Sequence, residues 1–219
     1  MENKVIIFLM ICIVCIYSCT SDLNGSRVVA LPYYEDANFT PNWFTQQNLP
    51  SDFHNISDFK LQNQDGEIIT QKNLDNKIYV ADFFFATCPG ICPQMTDNMK
   101  ILQEEFMNDN EVMLISHTVT PKRDTVAALK EYAKMKGIKS NKWYLLTGDK
   151  EQIYKLGRQD YFIEEDLGLD KEKDDFLHTE NFVLIDKNKN LRGIYNGLKN
   201  NEINQIIADI KTLKKEISN

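Results

Sequence analysis

The chain has little of what several common protein classes require. Across 219 residues, 25 Lys and Arg are outnumbered by 32 Asp and Glu, for a formal charge of −7. A clustered basic face is therefore missing, and nucleic acid is set aside as a partner. Histidines number three, prolines six with none after Pro121, and cysteines five, of which Cys12, Cys15 and Cys19 fall in or just after the apolar N-terminal run, so that beyond it Cys88 and Cys92 have no second pair at zinc-ligand spacing. There is no internal repeat. The apolar run near the N-terminus is too short to cross ~30 Å of hydrocarbon comfortably. What is present, 42% hydrophobic, 26% charged and 11% aromatic residues, is the composition of a globular chain able to bury a core. The length fits one domain with an appendage.

That apolar run, Val5 to Ser18, is uncharged and has the length of a secretory h-region. It ends Ile16-Tyr17-Ser18-Cys19, a small residue directly before a cysteine, which resembles the lipobox of bacterial lipoproteins. Residues 1–18 are accordingly expected to be a signal peptide and Cys19 a lipidated N-terminus on an exported, membrane-anchored chain facing the periplasm. The alternative is an uncleaved N-terminal anchor, and both readings export the protein. Cys12 and Cys15 would depart with the signal and Cys19 would carry lipid. Cys88 and Cys92 are then the two thiols left.

Residues 19–52 hold Pro32, Pro41 and Pro50 and no sustained periodicity, so they read as a tether able to order on the surface of a domain spanning 53–219. Asp58–Leu61 and Glu67–Thr70 flank Gln64-Asp65-Gly66, a hairpin signal. Ile78–Ala86 is a β-branched and aromatic run of the kind buried on both faces, interrupted only by Asp82. Met95, Met99, Leu102 and Phe106 recur at helical spacing. Further on the pattern predicts a strand at Val112–Ile115, a helix at Asp124–Lys136, a strand at Trp143–Leu146 and a helix over 150–158 capped by Asp149. A second hairpin, Phe182–Ile185 with Leu191–Tyr195, precedes a final helix striped by Ile203, Ile206, Ile207, Ile210 and Leu213. Strands alternating with helices predict an α/β fold of thioredoxin-like layout, a central mixed sheet flanked by helices.

In Phe83-Phe84-Phe85-Ala86-Thr87-Cys88-Pro89-Gly90-Ile91-Cys92-Pro93 the two thiols fall where a strand ends and a helix begins. Pro93 suits the first helical turn, and a helix N-terminus lowers the pKa of a nearby thiol. One turn would separate the cysteines by about 6 Å, close enough to bond or to grip one metal ion. Three readings stay open: a structural disulfide, a redox-active dithiol, or two legs of a metal site. The first closes so small a loop that it constrains the unfolded chain little. Two soft thiolates with an imidazole suit copper, especially Cu(I).

The motif Cys88-Pro89-Gly90-Ile91-Cys92-Pro93 after an aromatic strand resembles the CPxxCP signature of the Sco/SenC copper-binding proteins. Thr120-Pro121-Lys122-Arg123-Asp124-Thr125 is similar to that family's V-D-P-x-R-D-T, Trp143-Tyr144-Leu145-Leu146-Thr147-Gly148 to its W-x-x-L-T-G, and Leu177-His178 before Phe182–Asp186 to its histidine-then-strand element. The resemblance covers roughly residues 53–198. It implies a thioredoxin-like fold binding copper, as Cu(I), Cu(II) or both, through Cys88, Cys92 and His178. It also implies delivery to the dinuclear copper centre of cytochrome c oxidase, with an oxidase subunit or another copper carrier as recipient. One position departs: Thr120 stands where the family usually has Asp.

Other residues have plainer readings. His54 and His117 fit ordinary structural roles, and the spacing of Met95 and Met99 with Leu102 and Phe106 favours core packing over copper ligation. Asp82 is expected either to tune the thiols from a buried position or to lie at an exposed edge. Glu164–Asp175 carries seven acidic residues and two lysines, read as an acidic insertion before the last hairpin, solvated or facing a positively charged partner. The rival function is a thiol–disulfide oxidoreductase acting on partner cysteines through Cys88 and Cys92, and a copper or redox sensor is a third. Thioredoxin-type oxidoreductases place a cis-proline beside the site from the later half of the fold. The absence of proline after Pro121 favours metal binding.

Overall fold

A computed structural model describes residues 25–163 and 179–218. Cys19, the segment Glu164–Asp175 and His178 lie outside the described residues. The first hairpin pairs β1 (Lys60–Gln62) with β2 (Ile68–Thr70) antiparallel. The main sheet holds β3 (Ile78–Phe84), β4 (Val112–Thr118), β5 (Trp143–Leu146), β6 (Asn181–Ile185) and β7 (Leu191–Asn196) in the order β5-β4-β3-β6-β7. β3, β4 and β5 run parallel; β6 pairs antiparallel with β3, and β7 antiparallel with β6. Helices α1 (Cys92–Glu105), α2 (Val126–Lys136), α3 (Lys150–Lys155) and α4 (Asn200–Ser218) complete the layers of a thioredoxin-like fold.

β3 is central, and all seven of its residues are buried. Its pleat sends Ile78, Val80 and Phe84 into one apolar cluster with α1, α2 and α4, and Tyr79, Ala81 and Phe83 into a second with α3 and the first hairpin. The α1 stripe Met95, Met99 and Leu102 is fully enclosed in the first cluster. Truncating any one of them to alanine would cost about 2–5 kcal/mol through lost transfer energy and a residual cavity.

Several boundaries differ from the sequence pattern for physical reasons. β4 runs on through Ser116, His117 and Thr118, polar side chains held inside by packing from both faces. α2 starts only at Val126, because Thr125 adopts the extended N-cap conformation and accepts from the Ala128 N–H. The helix capped by Asp149 ends at Lys155 and continues as a π-helical turn over Leu156–Asp160. Gly137 closes α2 in the left-handed region at φ 71°, which glycine adopts without strain.

Both outer strands carry a cross-link. On β5 the Gln64 side chain donates to the Trp143 carbonyl at 2.8 Å and accepts from the Leu145 N–H at 2.9 Å, while Gln62 and Thr147 exchange backbone bonds. On β7 the Tyr34 N–H donates to Leu191 O at 3.1 Å. The proline-rich segment before Phe53 is thus folded onto the domain. Leu31 and Tyr33 are buried, and Arg192 fixes them. Its guanidinium lies 3.9 Å from the Tyr33 ring centre and donates to the Leu31 and Pro32 carbonyls, Asp186 and Glu216.

Candidate metal centre

The end of β3 delivers the aromatic residues Phe83 and Phe84 to a loop, and the loop delivers Cys88 to the mouth of α1. Cys92 is the first residue of that helix, with Pro93 next, where a missing N–H goes unneeded. Both cysteines are free thiols, Cys88 half-buried and Cys92 buried. They stand side by side at one cleft, near enough for each to shift the titration of the other. They share a cleft of about 430 Å³ with Phe83, Phe84, Phe85, Ile91, Val119 and Thr179. The walls are mainly apolar, so a charge placed there meets little competing water.

The two sulfurs have opposed environments. Partial burial pushes Cys88 upward, but the Cys92 thiol and the N–H groups of Cys92, Gly90 and Ile91 outweigh it, and its pKa falls below the ordinary thiol value. Burial raises Cys92, opposed only in part by the Phe85 N–H and reinforced by a neighbouring Cys88 thiolate and Asp82. Cys88 is the sulfur that ionises first. Such a pair presents one ready thiolate and one reserve thiol to a soft metal or to a disulfide.

Asp82 is buried on β3, on the face that carries the α1 cluster, which decides between the two positions the sequence allowed. Burial lifts its carboxyl to about 7, opposed by a hydrogen bond from Ser116. Ser116 in turn accepts from the Trp143 indole at 2.8 Å. Met95 and Met99 lie in the core. His117 is enclosed by Phe59, Phe83 and Tyr161, and His54 bonds the Asp160 carbonyl at 2.8 Å while its ring meets Phe162 at 4.5 Å. None of these lines the cleft. Thr179, the residue after His178, does.

Thr120, the departure from the family pattern, donates to Asp124 Oδ2 at 3.0 Å. That carboxylate also accepts from the Thr118 hydroxyl and, at 3.1 Å, from the Ala86 N–H in the cysteine loop. The sequence signals this contact only through the threonines and aspartate of the segment, whose partner lies 38 residues away.

A mixed sheet with two free thiols at its central strand-to-helix junction defines a thioredoxin-like dithiol protein, able to hold a soft metal or to exchange disulfides. Residues 47–215 match the SCO1/SenC family model, and the chain belongs to that family. A SCO1/SenC family lipoprotein from Bacillus anthracis is 31% identical, with a TM-score of 0.64 over 76% of this chain and 98% of that one. BsSco, described as a member of the Sco family of cytochrome c oxidase assembly proteins with a disulfide switch, is 29% identical, with a TM-score of 0.61 over 73% and 93%. ScoI of Arabidopsis thaliana, solved with copper bound, is 28% identical, with a TM-score of 0.54 over 74% and 97%. Among the described residues no helix is long and apolar enough to cross a membrane.

Proposed function

We propose that this protein is a membrane-tethered copper chaperone that takes one copper ion on Cys88, Cys92 and His178 and passes it to the dinuclear centre of cytochrome c oxidase. The observation that carries this reading is the pair of free thiols in one cleft that Thr179 also lines, one peptide unit from His178. Two sulfurs and an imidazole make a soft donor set suited to copper as cargo. Copper in the Arabidopsis relative, and the assembly role described for BsSco, support the same reading. Lipid on Cys19 would hold the domain at the periplasmic face of a membrane, in keeping with the relative described as a lipoprotein. Release to the recipient would proceed by ligand exchange at the exposed side of Cys88. Binding needs reduced sulfurs and a neutral imidazole, so affinity falls in acid and vanishes on oxidation.

Anaerobic copper titration of the full chain in detergent tests this. A stoichiometry of one is expected, lost in Cys88→Ser, Cys92→Ser and His178→Ala; variants that bind as tightly as the parent would refute the ligand set. A second reading, thiol–disulfide exchange with partner cysteines, is favoured by one observation, the opposed environments of the two thiols. Reduction of a disulfide-bonded copper-site peptide by the metal-free protein, absent in Cys88→Ser, would support it.

A further inference from the structure

Asp124 sits just before α2, far in sequence from the cysteines, and its side chain is buried at 1% exposure. One oxygen, Oδ2, gathers three donors: the hydroxyls of Thr118 and Thr120 and the backbone N–H of Ala86. The first two belong to the end of β4 and the turn after it. The third belongs to the loop that carries Cys88, two residues further on. The Thr120 N–H donates to Thr118 Oγ1 at 3.1 Å, and Asp124 N–H to Thr120 O at 2.9 Å, so the turn that aims the carboxylate is itself closed. A charged acceptor makes these bonds stronger than neutral ones. Within the loop, Cys88 N–H bonds Phe85 O at 3.2 Å and Gly90 N–H bonds the Cys88 sulfur at 3.4 Å.

We infer that Asp124 is the positioning residue of the site: through the Ala86 N–H it holds the cysteine loop in the pose in which Cys88 and Cys92 face one cleft as free thiols, open to a metal rather than joined to each other. A disulfide would need the sulfurs drawn to about 2.05 Å of each other. Holding the loop therefore favours the dithiol over the disulfide and pre-arranges two ligands. Freeing it lets the loop bend toward the bonded state and makes copper binding order the loop first. The copper half of this inference rests on the reading under Proposed function; the dithiol half does not.

The test compares the full chain in detergent with Asp124→Ala and Asp124→Asn. Each is equilibrated with reduced and oxidised glutathione, where Cys88 and Cys92 lose two electrons and two protons to glutathione disulfide, which leaves as two reduced glutathiones. Asp124→Ala is expected to move this equilibrium about threefold or more toward the protein disulfide. Its Cu(I) affinity, read by competition with a colorimetric chelator, is expected to fall about tenfold or more. Asp124→Asn keeps a carbonyl oxygen for Ala86 and should lie between. Amide exchange should rise at Ala86 while Val80 and Ala81 stay protected. Unchanged glutathione equilibrium together with unchanged Ala86 exchange would overturn the inference. Should the alanine variant not fold, the asparagine variant decides by the same two readouts. A parent chain that fails to bind copper would sink the chaperone reading and leave the glutathione result to judge Asp124.

Discussion

Asp82 and His117 stand one rung apart on adjoining strands and point to opposite faces of the sheet: Asp82 is level with Ser116, and His117 with Phe83. His117 stacks on Phe83 with centroids 4.9 Å apart, and neither ring nitrogen has a partner among the described residues. Each carries a titratable group out of water in its neutral form, and the two respond to pH in opposite senses.

Burial depresses His117 to about 3 from an unfolded value near 6.5, so between these limits the unfolded chain holds an extra proton and stability is lost as pH falls. Burial raises Asp82 to about 7 from 3.8, so over nearly the same window the folded chain holds the extra proton and stability is lost as pH rises. In the parent these slopes, each at most about 1.4 kcal/mol per pH unit, offset one another. Denaturant titrations between pH 4 and 6.5 should show the imbalance in single variants. Asp82→Asn should lose stability on acidification, whereas His117→Phe should gain it. Parallel profiles for the two variants would refute the pairing.

The opposed thiols make a separate prediction. Under iodoacetamide, Cys88 should be alkylated first, with a pH midpoint below the ordinary thiol value of about 8.5, because four hydrogen-bond donors favour its thiolate. Cys92 should react only when the domain opens. Mass spectrometry of the singly labelled protein at neutral pH checks the order, and equal labelling of both would contradict it.

Arg192 offers a stability test remote from the site. Its side chain is buried between Asp186, at 3.1 Å, and Glu216, at 2.7 Å. Arg192→Ala removes the cation between the two carboxylates, which keep only backbone N–H donors, and leaves the Leu31 and Pro32 carbonyls without its hydrogen bonds, at a cost of about 3–5 kcal/mol. Limited proteolysis should then cut within residues 25–52 faster than in the parent, where Leu31 and Tyr33 are buried. Resistance equal to that of the parent would show that other contacts hold the segment.

Much of the fold was legible because it is locally encoded. Trp143–Leu146 forms the strand that its apolar run predicts, and the α1 stripe of methionine, leucine and phenylalanine packs inward as its spacing requires. What escaped depends on partners distant in sequence. The apolar pattern ends the strand at Ile115, yet burial from both faces carries it on through Ser116, His117 and Thr118. Residues 25–52 show no period because Arg192 and the β7 edge hold them, rather than an apolar face of their own. The site divides in the same way. The cysteine motif was visible as a string, whereas the inequality of its two sulfurs arises from the deeper burial of Cys92 and from the backbone N–H groups that the loop turns toward Cys88.

The cross-links on β5 and β7 bear on how this protein meets others. An open strand edge is a template on which a second chain can extend a sheet. Gln62 and Gln64 occupy that template on one side, and Tyr34 occupies it at Leu191 on the other. A second copy approaching β5 finds its backbone groups already taken, and one approaching β7 finds the Leu191 carbonyl taken. Encounters are thereby steered toward loops and helix ends, where contact is brief and partners separate without a shared sheet.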